Sequence, residues 1–413
     1  MRSIGTRLGA MMFLQFFIWG AWYTTIAVYM TNHGMGTLTF WPYTVNPIAA
    51  IAAPFFVGLV ADRYFATQKA LGFLHLLGGV ILLATPKTSG NSTLFIVMLL
   101  LYNLCYMPTL GLSSSLAFHH IADQEKQFPK IRVWGTIGWI IAGWFISFGL
   151  SPMLGGQAEA TAAPLYVSGI ASILLGLYCF SLPHTPPSAA GQPVSFRSVI
   201  GLDAMKQLGS RPFWVFIISA FLICIPLAAY YNYTQLFLEA ARVKNIAATQ
   251  TLGQMSEMLF MLAMPLLFRR LGVKWMLVVG MGAWVVRYAL FAAAAPNAVF
   301  WMIALGILLH GVCYDFFFVT GQIYVDKKST AAIRGQAQGF FVLVTYGVGM
   351  LIGAQAAGNV YNRFLAGGTA LSLPQWNQFW WLPAGFALLV MIFFAVMFND
   401  KVADDASAKL QDQ

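Results

Sequence analysis

The stretch Leu8–Met30, LGAMMFLQFFIWGAWYTTIAVYM, runs for 23 residues without one charged side chain. As a helix rising about 1.5 Å per residue it is long enough to cross a hydrocarbon core about 30 Å thick. It exceeds the apolar core of a secretory signal, about 7 to 15 residues, and no clear small-residue cleavage site follows, so it reads as a retained span. Eleven further apolar stretches follow, broken by Pro, Gly or charge and centred near Ala52, Gly78, Leu101, Ile141, Ser172, Leu222, Leu259, Trp284, Ile307, Met350 and Val390. Six fall in each half. The expected fold class is therefore an all-α polytopic membrane protein with twelve transmembrane helices.

Composition agrees. Of the 413 residues 59% are hydrophobic and 9% charged, against about 25% charged in a soluble domain. So few charges cannot cover a water-facing surface, whereas lipid accepts apolar side chains and penalises charge. An ordinary soluble globule is excluded. The 23 basic and 13 acidic residues give a net charge of +10, and their placement explains the excess. An even number of spans puts both termini on one side. If that side is cytoplasmic, 18 basic residues lie in cytoplasmic segments, Lys87, Arg242, Lys244 and Arg363 lie opposite, and Arg287 lies within a span. This is the positive-inside pattern of a cytoplasmic membrane protein facing lipid, and it needs no nucleic-acid partner. Cys105, Cys179, Cys224 and Cys313 fall in spans without CxxC spacing, so neither a disulfide framework nor a zinc site is expected. No P-loop is present, and no metal or cofactor is expected.

The longest polar connection, Pro183 to Pro212, carries Pro186, Pro187 and Pro193 and divides the chain into 1–185, a cytoplasmic linker 186–211, and 212–413 with a short tail. Two six-helix bundles joined in this way resemble the major facilitator superfamily, whose substrate site lies between its halves near the midplane. Gly58-Leu-Val-Ala-Asp62-Arg63 is similar to the start of that superfamily's loop motif, although YFATQK replaces its Gly-Arg-Arg continuation. An ordinary charged helix end is the other reading. Arg269-Arg270-Leu-Gly272-Val-Lys274 is a weaker echo that a lipid-facing basic cluster explains equally well.

Of the thirteen acids only Glu257 and Asp315 fall well inside spans. An ionised Asp near a helix centre costs about 2.5 to 3.5 kcal/mol on insertion scales, so such residues usually face a cavity or a partner. A carboxyl held out of water also binds its proton more tightly, which suits proton coupling. The alternative is a structural ion pair with Arg287 or Arg132. Gln254 lies three residues before Glu257 and shares its face. His310 lies one turn before Tyr314, and a packed histidine is its plainer reading. In the fifth span Arg132, Thr136 and Trp139 follow i, i+4, i+7 spacing, aligning a cation, a hydroxyl and an aromatic plate. Arg132 reads equally as a membrane anchor. Beyond Pro226, the seventh span carries Tyr230, Tyr231, Asn232, Thr234 and Gln235. Rings beside amides suit a flat heterocycle bearing hydroxyls, with interfacial belt tyrosines as the alternative.

The strings IRVWGTIGW (Ile131–Trp139), YMPTLGL (Tyr106–Leu112), LGQMSE (Leu252–Glu257), YDF (Tyr314–Phe316), YVDKK (Tyr324–Lys328) and RGQAQG (Arg334–Gly339) occur in order along the chain. With them the sequence resembles the bacterial nucleoside:proton symporters of the major facilitator superfamily, within their less characterised branch. The resemblance implies proton-driven nucleoside import by alternating access. It implies substrate contacts at Arg132, Thr136, Trp139, Gln254, Glu257 and Tyr314 and an acid at the position of Asp315; of the two intramembrane acids, Asp315 is expected mainly to couple the proton and Glu257 to bind substrate, protonation being open to it as well. Trp139 stands where the better-known branch has Phe, and His310 where it has Tyr. In the seventh span, that branch's Gln and Asn fall on Ala228 and Tyr231, with Asn232 and Gln235 nearby to compensate. A proton moving inward across about 100 mV yields about 2.3 kcal/mol, worth nearly fifty-fold accumulation of a neutral solute. One chain encloses the whole route in this architecture, so a functional monomer is expected. A membrane-embedded enzyme is disfavoured, because His119-His120-Ile-Ala-Asp123 lacks the acyltransferase spacing it superficially suggests. A carrier of sugars or other small polar solutes, and a non-translocating nucleoside receptor, are the alternative functions.

Overall fold

A computed structural model describes residues 2–56, 64–187, 202–330 and 333–400, and every regular element among them is helical. Gly58, Asp62 and Arg63 of the loop motif lie outside the described residues, as does most of the expected linker. In lipid a helix satisfies its own backbone hydrogen bonds, so apolar sequence of spanning length settles into this form.

Nine helices among the described residues are long and apolar enough to cross a membrane. One of them, Ile246–Asn297, is two spans in sequence, the eighth and ninth, which meet at Gly272 with φ 66° and ψ 177°. Only glycine adopts that backbone readily, so the chain turns there. Trp41–Phe56 and Ala163–Cys179 supply the second and sixth spans and complete the twelve. The first comprises Arg2–Tyr23 and Ile26–Asn32; the third is Thr67–Ala84, the fourth Ser92–His120, and the fifth opens with Gln124–Trp144. The seventh is Arg211–Ala240, the tenth Phe300–Lys328, the eleventh Arg334–Leu365 and the twelfth Leu373–Met397. Wide π-helical turns interrupt three of them, at Phe145–Leu150, Asp315–Val319 and Leu343–Gly349. Such turns recur at functional sites, and that of the tenth span begins at Asp315.

The chain divides into two compact units, Met1–Val194 with Lys244–Thr251, and Ser195–Val243 with Leu252–Gln413. In the first unit, the first span packs on the fifth and sixth, and the third on the fourth and sixth. A Cβ on Gly20 would stand 2.9 Å from the Trp139 ring and one on Gly138 closer still to the Phe13 carbonyl, so the first and fifth spans approach this closely because these positions have no side chain. Segment Lys244–Thr251 belongs to this unit through specific bonds. The Gln250 amide donates to the Thr24 carbonyl at 2.9 Å, and the Trp144 indole to Thr251 Oγ1 at 3.1 Å. In the second unit the seventh span packs on the eleventh and twelfth. Asp400, just past the twelfth, pairs with Lys328 and accepts from the Tyr324 hydroxyl, fastening that end to the tenth.

Candidate functional site

In the first unit Arg132, Thr136 and Trp139 are all half-buried along one helix. The Arg132 guanidinium lies 4.0 Å from the centroid of Phe16, over the ring face. Trp139 meets Trp19 edge-on at 5.4 Å and Tyr23 at 6.2 Å; Trp19 in turn meets Tyr106 at 5.8 Å. The stripe expected from spacing is thus backed by an aromatic wall from the first and fourth spans. Trp19 and Tyr23 of that wall were not expected from the sequence, because they sit in an unbroken apolar run that reads as lipid-facing or core.

In the second unit His310 is buried and stacks on Tyr230 at 5.4 Å with a 17° interplanar angle; Tyr231 stands edge-on to it at 6.0 Å and Tyr314 lies 5.8 Å away. His310 is thus packed, as its plainer reading expects, and it borders the half-buried Tyr231 and Tyr314. Arg287 covers Tyr230 with its guanidinium at 4.1 Å and donates from Nε to the Gly306 carbonyl at 3.0 Å.

The eighth and tenth spans touch backbone to backbone. Ser256 Oγ accepts from Gly311 N at 2.9 Å, and a Cβ on Gly311 would stand 2.7 Å from the Glu257 nitrogen. Asp315 follows Gly311 by four residues and so shares its face. The Glu257 backbone thus meets the tenth span one helical turn before Asp315. Asp315 is fully buried, and neither of its carboxyl oxygens meets a hydrogen-bond donor among the described residues. The ion-pair alternative fails for Arg287 and Asp315, since neither joins a salt bridge among the described residues and Arg287 is engaged by Tyr230 and Gly306.

Asn232 and Gln235 are fully buried. The Asn232 amide donates to the Ala354 carbonyl of the eleventh span at 3.4 Å, and that of Gln235 reaches the Tyr231 carbonyl at 3.5 Å. Each of these amide nitrogens thus meets a backbone carbonyl. In the loop at His119 to Asp123, Asp123 caps the fifth span by accepting from Lys126 N at 3.0 Å, and His120 bonds Thr185 Oγ1 at 2.8 Å. Asp123 thus holds a helix start, and His120 ties the end of the fourth span to the segment that follows the sixth.

Residues 2–403 match the family described as nucleoside H+ symporter. The chain is 36% identical to YegT of Escherichia coli (strain K12) over 98% of this chain and 96% of that protein. It is 31% identical to the xanthosine permease of the same organism over 96% and 97% of the two chains, and 30% identical to its nucleoside permease NupG over 97% of each. The crystal structure of the nucleoside transporter NupG superposes with a TM-score of 0.85 at 28% identity, covering 96% of this chain and 99% of that one.

Proposed function

The chain belongs to the nucleoside H+ symporter family, and from that premise we propose how its residues divide the work of moving a nucleoside together with a proton. It is a multi-pass membrane transporter of the major facilitator type, not an enzyme. On the first unit, Trp139 stacks the base while Thr136 and Arg132 hydrogen-bond the sugar or base. On the second, Gln254, Glu257, His310, Tyr231 and Tyr314 supply further polar and ring contacts, with Asn232 and Gln235 shaping the seventh span behind Tyr231.

Asp315 carries the proton. A carboxylate that meets neither a donor nor a cation is stable in that setting as the neutral acid, or when water reaches it. Protonation from outside removes the charge, so closing water away from the acid becomes cheaper and the inward transition follows; deprotonation into the cytoplasm resets the carrier. Glu257 binds substrate and tunes Asp315 through its charge. The observation that carries this reading is the buried Asp315 carboxyl, without a hydrogen-bond donor among the described residues, one helical turn from where the Glu257 backbone meets the tenth span. In the same reading the protein resides in the cytoplasmic membrane of a bacterium as a lipid-embedded monomer with both termini cytoplasmic, in keeping with the basic bias, and Gly58, Asp62 and Arg63 act in conformational exchange.

Counterflow in proteoliposomes tests the function. Preloaded uridine or adenosine is expected to accelerate entry of labelled nucleoside, with sugars competing poorly. Binding without exchange would identify a receptor instead.

A further inference from the structure

The first unit holds a buried imidazole that the transport cycle above does not use. His75, in the third span, is 1% exposed. Its Nε2 lies 2.9 Å from Gln15 Oε1. The Gln15 amide nitrogen donates to Thr109 Oγ1 at 2.7 Å, and Thr109 spends its own proton on the Tyr106 carbonyl at 2.5 Å. Gln15 must therefore turn its oxygen toward His75, and His75 must carry hydrogen on Nε2. Two further bonds close the cluster. The Tyr106 hydroxyl donates to the Gln15 carbonyl at 2.5 Å, and Ser172 Oγ donates to the His75 carbonyl at 2.8 Å while lying 3.3 Å from Nδ1. Five side chains thus lock the first, third, fourth and sixth spans at one level.

The cluster leads directly to the aromatic wall. Trp19 follows Gln15 by four residues and so stands on the same face of the first span. It packs edge-on against both Tyr106, a member of the cluster, and Trp139. We propose that His75 is a positioning residue for substrate binding: by donating to Gln15 it fixes Gln15 and Tyr106, and through Trp19 it sets the orientation of Trp139. The inference rests on the assignment of Trp139 to base stacking. Without the His75 N–H, the fully buried Gln15 oxygen has no donor among the described residues. Its amide must then turn, breaking the bond to Thr109 and loosening the wall, at a loss equivalent to about tenfold in affinity.

The test uses the full chain in lipid. The near-ultraviolet circular dichroism difference between the protein and its Trp139→Phe variant isolates the Trp139 signal without any substrate. That signal should collapse in a His75→Leu background and persist in His75→Gln, which keeps an N–H at similar reach. Half-saturation for uridine counterflow should rise about tenfold in His75→Leu at unchanged maximal rate, and stay near the parent value in His75→Gln. Gln15→Met cuts the same link from the other side and should reproduce the spectral loss, which covers failure of His75→Leu to fold. An unchanged Trp139 signal in either apolar variant overturns the proposal, as does equal loss in His75→Gln or an unchanged half-saturation in His75→Leu. If the parent protein shows no nucleoside counterflow the transport reading falls, and the spectral arm still decides the role of His75.

Discussion

Glu159 accepts the backbone N–H of Ala247 at 3.3 Å across 88 positions of sequence. Ala247 lies in the first turn of the helix that begins at Ile246, where unpaired N–H groups and the helix dipole favour an anion. The same carboxyl accepts from Ser147 at 2.6 Å and Ser151 at 3.1 Å, and Ser147 in turn accepts from Ala248 N at 3.0 Å. This is how Lys244–Thr251 joins the first unit although the chain on either side belongs to the second.

Glu159→Ala should therefore destabilise the protein by about 2 to 3 kcal/mol, since two hydroxyls and one backbone N–H lose a charged acceptor in a buried place. Glu159→Gln, which keeps one acceptor oxygen, should lose less. Thermal unfolding of the detergent-solubilised protein measures both, and a midpoint unmoved by Glu159→Ala would contradict the account.

Arg287 gives a less intuitive expectation. Arg287→Met forfeits the Gly306 hydrogen bond and the Tyr230 cation contact, yet it also removes the desolvation cost of a buried charge, so the net change should stay within about 2 kcal/mol. Arg287→Lys keeps the charge on a compact, strongly hydrated ammonium that cannot cover the ring and bond the carbonyl together. The nominally conservative change should be the more destabilising of the two in the same unfolding measurement.

What the sequence disclosed follows from what its alphabet penalises. Twelve apolar runs predict twelve spans because charge is scarce and each break is marked, and Asp315 and Glu257 stand out because an acid in lipid is costly. His75 does not stand out in this way, because a neutral imidazole in an apolar run is cheap enough to pass for packing. Glu159 reads as an ordinary loop acid; only the fold brings Ser147, Ser151 and Ala247 around it. Trp19 is equally silent, because an aromatic in an apolar run looks the same whether it faces lipid, core or Trp139.

Removing the proton carrier should separate exchange from accumulation. Asp315→Asn mimics the neutral acid permanently, so nucleoside counterflow should survive while uphill uptake is lost, up to the nearly fifty-fold gradient that about 100 mV sustains. The sign with pH follows from the direction of proton capture. Raising external pH leaves fewer protons to neutralise the acid before closure, so driven uptake by the parent should fall as external pH rises, while exchange by Asp315→Asn should stay flat. Full pH-dependent accumulation by Asp315→Asn would reassign the coupling role.

Trp139 bears the most direct test of the binding face. Stacking of a base on an aromatic side chain is worth about 1 to 3 kcal/mol by alanine substitution, so Trp139→Ala should weaken nucleoside binding about tenfold or more, and Trp139→Phe less. Gly20 offers an independent route to the same ring without touching its chemistry. A Cβ there would stand 2.9 Å from the indole and 3.0 Å from the Trp139 Cα, so Gly20→Ala must push the ring or the helix aside. If Trp139 acts through its position, Gly20→Ala should weaken binding in the parent and add little in a Trp139→Ala background. Equal losses in both backgrounds, measured by equilibrium binding of labelled nucleoside, would mean that Gly20 matters only for packing the first span on the fifth.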